Sequence, residues 1–247
     1  MKKLILTTFS FCLLLFAGCN PDDDEFNLTS VRYGERVSLG QGYAQSYVEM
    51  TGTRLTGLGI AVSESAMNSL PDEMQVLILP LPELTPNMPT KLVMVDYYPA
   101  GHEPDGIYDV PHFDFHFYTI TNQERMAILP ENEEELNNFP DPAFLPEDYV
   151  QAGAVPFMGM HWVDSTSPEL NGEPFTHTYI YGSYNGRIIF QEPMVATSFF
   201  TEGVDVTAPI KQPQRWDPSG LYPTSYSVYH DTRNDLYKIE LNEFRQR

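Results

Sequence analysis

The chain has 247 residues, with 34 Asp and Glu against 14 Lys and Arg and a formal net charge of −20. Such a surface repels phosphate backbones and anionic headgroups, which excludes nucleic acid as a partner and favours cations. Its two cysteines, Cys12 and Cys19, both lie near the N-terminus, so the remainder has no disulfide and no thiolate ligand or nucleophile; any site must be built from His, Asp, Glu, Ser, Tyr or water.

Lys2 and Lys3 precede an apolar run from Leu4 to Phe16, followed by Ala17, Gly18 and Cys19. The run is too short for a stable bilayer span and reads as a secretory signal over residues 1–18. Small residues directly before a cysteine resemble the lipobox of bacterial lipoproteins, with Phe16 where leucine is usual. The resemblance implies that Cys19 becomes the lipidated first residue of the mature chain. It would anchor the protein to a membrane of the cell envelope, the outer membrane being expected, on its periplasmic or surface face. A plain signal peptide cut nearby is the alternative. Residues 19–38 read as the lipidated cysteine and an acidic, solvated tether, "NPDDDEFNLTS" and beyond. An acidic run just after the cysteine also resembles the surface-export signals of Bacteroidetes lipoproteins, a mere spacer being the other reading.

Residues 39–247 read as a single β-rich domain. "YAQSYVEM" and "LTGLGIAVS" are strand-like runs joined by a Thr-Gly-Thr turn, and "MQVLILPLP" and "LVMVDYY" follow with Pro-rich connections. This spacing predicts an antiparallel sandwich or barrel-like domain with one or two short helices. "TNQERMAIL" is the best helix, since Thr121 and Glu124 have capping-box spacing and Pro130 stops the run. "ENEEELNNF" adds a second, with an acidic solvated face.

"FTHTYIYGSYNGRIIFQEPM" predicts a hairpin with Asn185 and Gly186 in a type I′ turn and Tyr184 opposite Arg187. Counting outward places Tyr179 opposite Glu192 and His177 opposite Met194, with His177, Tyr179, Tyr181, Phe190 and Glu192 on one face. "SYSVYH" and "LYKIEL" predict a C-terminal hairpin, read as an extension over residues 206–247.

"GHEPDGIYDVPHFDFHFY", residues 101–118, carries three of the six histidines. Its second half alternates with period two, placing Phe113, Phe115 and Phe117 on a core face and His112, Asp114, His116 and Tyr118 on the other. Buried imidazole and carboxylate groups need partners. His112 with Asp114, or Asp114 with His116, makes a two-residue chelate. The two histidines together would require a bulge or strong coiling, because i and i+4 in an extended strand are about 13 Å apart. His102 and Glu103, before the "EPDG" turn, and His161 in "MGMHWVD" are the further candidates; Glu192 and His177 are more distant ones, for which ordinary cross-strand pairing is the simpler reading. The expected metal ligands are therefore His112, Asp114, His116, His161, Glu103 and His102, a thiol-free set that fits zinc or iron first. No GxSxG, HExxH, GxxxxGK[ST] or GxGxxG motif is present, so no catalytic residue is assigned.

The signatures HEPxGxYxxPHFDxHFY and MGxHWxD, with the hairpin sequence after them, resemble a family of uncharacterised bacterial envelope proteins and lipoproteins. That family is a domain of unknown function with a homologue in Thermus. The resemblance spans roughly residues 40–245 and implies a β-rich secreted domain, with homo-oligomers in view and no established activity. It places His102, Glu103, His112, Asp114, His116, His161 and Asp164 at signature positions. Two functions stand side by side. One is a lipoprotein whose polar pocket binds a divalent metal. The other is a non-catalytic binding or assembly lipoprotein, in which the His/Asp face is a buried hydrogen-bond network and a small-molecule or glycan ligand is held by exposed Tyr and Trp.

Overall fold

The computed structural model describes residues 28–82, 88–203 and 205–247. The signal, Cys19 and the tether up to residue 27 lie outside the described residues. The elements in chain order are β1 (Thr29–Tyr33), β2 (Val37–Leu39), β3 (Gly42–Thr51), β4 (Arg54–Ser63), α1 (Glu64–Met67), β5 (Gln75–Leu79), β6 (Leu92–Tyr98) and β7 (His112–Tyr118). They continue with α2 (Asn122–Met126), α3 (Glu133–Leu136), β8 (Tyr149–Val155), β9 (Gly159–Asp164), β10 (His177–Tyr184), β11 (Arg187–Ala196) and α4 (Thr197–Thr201). The last are β12 (Val206–Pro209), β13 (Leu221–Tyr222), β14 (Ser225–Asp231), β15 (Leu236–Asn242) and β16 (Arg245–Gln246).

Two seven-stranded antiparallel sheets form a sandwich that does not close into a barrel. The first has the order β1-β3-β4-β15-β14-β12, with β2 also paired to β3; the second has the order β5-β6-β7-β11-β10-β9-β8. Phe113, Phe115 and Phe117 face inward from β7 and share one core with Val93 and Val95 of the same sheet and Leu58, Ile60, Val228 and Ile239 of the other. The predicted strands and both predicted helices form, and α2 has the capping box, Thr121 Oγ1 accepting from the Glu124 backbone N–H. Four short helices occur among the described residues, where one or two were expected.

Three expectations are corrected. The first sheet starts at Thr29 rather than at residue 39, because β1 pairs with β3 over Thr29↔Thr51 to Tyr33↔Tyr47. The C-terminal hairpin is no extension: β15 pairs with β4 along its whole length and sits near the centre of the first sheet. The hairpin of β10 and β11 begins with Tyr184 opposite Arg187 as expected, but a bulge at Gly182/Ser183 shifts the register by one. Glu192 therefore faces Ile180, and His177 faces Val195. A slip of one residue reverses a strand's faces. Tyr179 and Tyr181 turn into the core, away from the face that carries Phe190 and Glu192.

The outer face of the second sheet is covered at both ends. At one, Ile128 and Leu136 of the helical segment pack on Leu92, Met94, Tyr118 and Phe190. At the other, the loop 99–111 folds back and sets Tyr108 against Phe175 and His112. Gly101 permits that fold: its φ is +74°, and a Cβ there would stand 2.0 Å from the Tyr108 carbonyl oxygen. Between the two covers runs a buried polar strip.

Candidate metal centre

β7 supplies the strip's axis. Its outward residues His112, Asp114 and His116 are all buried, since the loop and helical segment replace solvent on that side. β6 lies alongside, with Asp96 opposite Asp114 and Met94 opposite His116. β11 flanks the other edge and contributes Glu192, which is also buried. His161 of β9 stands opposite Gly182, whose missing side chain leaves room for the Phe190 ring; a Cβ there would lie 1.8 Å from that ring. Phe190 in turn packs edge-on against both His116 and His161 at 5.2 Å.

The polar groups gather into two triads, His102/His112/Asp114 and His116/His161/Glu192, and in each the ligand-type atoms lie within 4.8 Å of one another. In the first, Asp114 Oδ2 is 3.2 Å from His102 Nε2 and Oδ1 is 3.2 Å from His112 Nε2. In the second, Glu192 Oε2 is 3.2 Å from His116 Nε2 and 3.8 Å from His161 Nε2. Both consist of two imidazoles and one carboxylate.

Every histidine aims Nε2 into its triad. His102 Nδ1 donates to the Glu103 carbonyl at 2.6 Å, His112 Nδ1 to the Val110 carbonyl at 2.7 Å and His161 Nδ1 to the Gly159 carbonyl at 3.2 Å. With Nδ1 tied to a main-chain carbonyl, each of these rings has only Nε2 left to face its triad, where His102 Nε2 donates to Asp114 Oδ2. An Nε2 without its proton presents a lone pair, the arrangement seen where imidazole ligates a metal. His112 Nε2, Asp114 Oδ1, His116 Nε2 and Glu192 Oε2 are buried without a hydrogen bond, although each is 3.2 Å from a partner across its triad. They are near one another but not aligned as donor and acceptor. Buried polar atoms are normally satisfied, and this geometry suits a shared cation.

The charges follow the same grouping. Burial alone would lower the histidines, but Asp114 holds His102 up to about 9, and Glu192 with Asp96 holds His116 up to about 9. Burial would raise Asp114, but the His102 and His112 rings keep it well below the usual carboxylate range. Burial pushes His161 down to about 4, helped by the neighbouring His116, so it stays a neutral ring. Burial raises Glu192 despite His116, and raises Asp96 to about 6. Only His102 and His161 reach solvent, with 32% and 13% of their side-chain surface exposed, so each triad has one edge toward the outside.

Of the expected ligands, His102, His112 and Asp114 come together, as do His116 and His161. The two histidines of β7 go to different triads, as their separation along an extended strand requires. Glu103 is a correction: its side chain is exposed and in neither triad, and only its backbone carbonyl contributes. Glu192, for which ordinary cross-strand pairing was the simpler reading, completes the second triad. His177 does not join it; its Nδ1 meets the Tyr226 hydroxyl at 2.7 Å. Asp164 pairs with Lys211 at 2.9 Å. Asp96, fully buried beside both triads, was not expected. Its signal was present in "LVMVDYY", where one acid interrupts an otherwise apolar and aromatic strand.

Buried His, Asp and Glu groups that could hold a metal are thus a property of the fold. Comparison of the chain with family models, with curated proteins and with solved structures found no match, so the functional reading rests on this geometry.

Proposed function

We propose that this protein is a lipid-anchored domain of the cell envelope that binds divalent metal, zinc or iron(II), at two neighbouring three-ligand sites. The observation that carries the reading is the common aim of four Nε2 atoms, with a carboxylate in each triad and buried atoms that lack hydrogen bonds. Two imidazoles and one carboxylate are the protein ligands of many catalytic zinc sites and of non-haem iron(II) sites, and both leave coordination positions for water or a small ligand. A bound ion there would lower the pKa of a coordinated water or act as a Lewis acid. His102, His112 and Asp114 would hold one ion, and His116, His161 and Glu192 the other.

Elemental analysis of the soluble Cys19→Ser chain, purified without affinity tag or chelator, tests this. The expected result is close to two equivalents of zinc or iron per chain. Metal-free protein that takes up none on addition of either ion would return the strip to a structural network and move function to surface ligands and assembly.

Metal uptake should also release protons. His102 and His116 stay protonated up to about 9, and a proton on Nε2 occupies the position an ion needs. Below that pH each ion must expel a proton, so affinity rises with pH and levels off above about 9. Calorimetric titration at pH 7 in buffers of different ionisation enthalpy should show about one proton released per ion. Heats independent of the buffer would count against it.

The anchor has its own test. Cys19→Ser should move the protein from the membrane fraction to the soluble fraction of the producing cells. No helix among the described residues is long and apolar enough to cross a membrane. Unchanged membrane partition would remove the lipoprotein reading.

A further inference from the structure

Asp96 belongs to neither triad, yet it is fully buried and neither carboxylate oxygen has a hydrogen-bond partner. It faces Asp114 across the β6–β7 ladder, a like charge, and its other charged neighbours are His116, Glu192 and Arg125. Arg125 spends its donors elsewhere, on Asn122 Oδ1, the Phe157 carbonyl and Met126 Sδ. Burying a carboxylate beside another one without hydrogen bonds is costly, and folding alone gives no return for it.

The group Asp96 does approach is His116 Nδ1, at 3.7 Å from Oδ2. That nitrogen is on the side of the ring away from Nε2, which faces Glu192. The other three triad histidines have Nδ1 tied to a backbone carbonyl. His116 Nδ1 has no hydrogen bond, and Asp96 is the carboxylate beside it.

We infer that Asp96 is the positioning residue of the second triad: its carboxylate accepts the Nδ1–H of His116, fixes that tautomer and aims Nε2 at the ion. A separation of 3.7 Å is too long for a strong hydrogen bond. An ion held at Nε2 would make the Nδ1–H more positive and so strengthen its attraction to the Asp96 carboxylate. The pair would form a carboxylate–histidine–metal relay in which His116 has a side chain as partner where the other three triad histidines have main chain. The inference rests on the metal reading above.

The test uses the mature chain with His102→Ala. That partly exposed ring belongs to the first triad alone, so its removal leaves the second triad to be measured by itself. Zinc affinity is measured by chelator competition in this parent and in the same parent with Asp96→Ala or Asp96→Asn, and each metal-free protein is melted in parallel. Asp96→Ala should weaken zinc about 10- to 100-fold. Asp96→Asn should weaken it less, since an amide oxygen still accepts from Nδ1–H. The metal-free Asp96→Asn protein should melt higher than its parent, because a buried charge has been removed.

A merely structural aspartate would instead lower the melting temperature in both variants and leave affinity unchanged. Zinc affinity within twofold of the parent in both variants overturns the role of Asp96 while leaving the metal reading intact. A parent that binds no zinc, and a wild-type chain that binds none either, overturns both.

Discussion

His112→Ala and His116→Ala should each remove one of two bound metal ions, and the double variant should remove both. The two residues lie on one strand four positions apart, which tempts a single-site reading. The triads assign them to separate centres: His112 with His102 and Asp114, His116 with His161 and Glu192. With one ligand of three removed, an ion keeps two protein ligands and is lost on dialysis, while its neighbour keeps all three. Metal per chain, measured with zinc or iron in slight excess and then desalted, should read about two, one, one and none. Loss of both ions from either single variant would mean one shared centre and would change the ligand assignment. Retention of both in the double variant would remove these histidines from metal binding altogether.

Phe115→Ala should cost about 3–5 kcal/mol of folding stability, the usual range for truncating a fully buried phenylalanine. Phe115 is on the inward face of β7 with no exposure, stacked on Phe113 at 5.6 Å and edge-on to Phe200 at 6.2 Å. Its loss leaves a cavity between the two sheets, where neighbours on rigid strands cannot close in. Chemical unfolding of the metal-free protein would show it as a lower midpoint at unchanged slope. The fraction that remains folded should still bind two ions, because the triads are on the opposite face of the same strand. A loss below about 1 kcal/mol would contradict the sandwich core described for this strand.

Much of this division of labour was legible in "HFDFHFY". Strict alternation put the phenylalanines on one face and the His and Asp groups on the other, and extended geometry made a single ion shared by His112 and His116 conditional on a bulge or strong coiling; the division into two triads came from the structure. Capping, turn and strand signals likewise named α2, the Asn185–Gly186 turn and the strands around it. Local chemistry determines all of these. The sequence did not disclose what long-range pairing decides. The bulge at Gly182/Ser183 moved Glu192 from the side of Tyr179 to that of His116, and no count outward from the turn could include it. Glu103 looked equivalent to His102 by proximity, yet the loop over Gly101 sends one side chain inward and the other to solvent. Asp96 acquires its meaning only from the ladder that sets it opposite Asp114 and beside His116.

The most direct test of the central claim is anomalous diffraction from crystals of the soluble chain grown with zinc, collected on both sides of the zinc absorption edge. Two peaks are expected. One should lie about 2.0–2.2 Å from His102 Nε2, His112 Nε2 and an Asp114 oxygen, the other at the same distance from His116 Nε2, His161 Nε2 and a Glu192 oxygen. Peaks confined to surface carboxylates, with His112 and His116 hydrogen-bonded directly to Asp114 and Glu192, would contradict it.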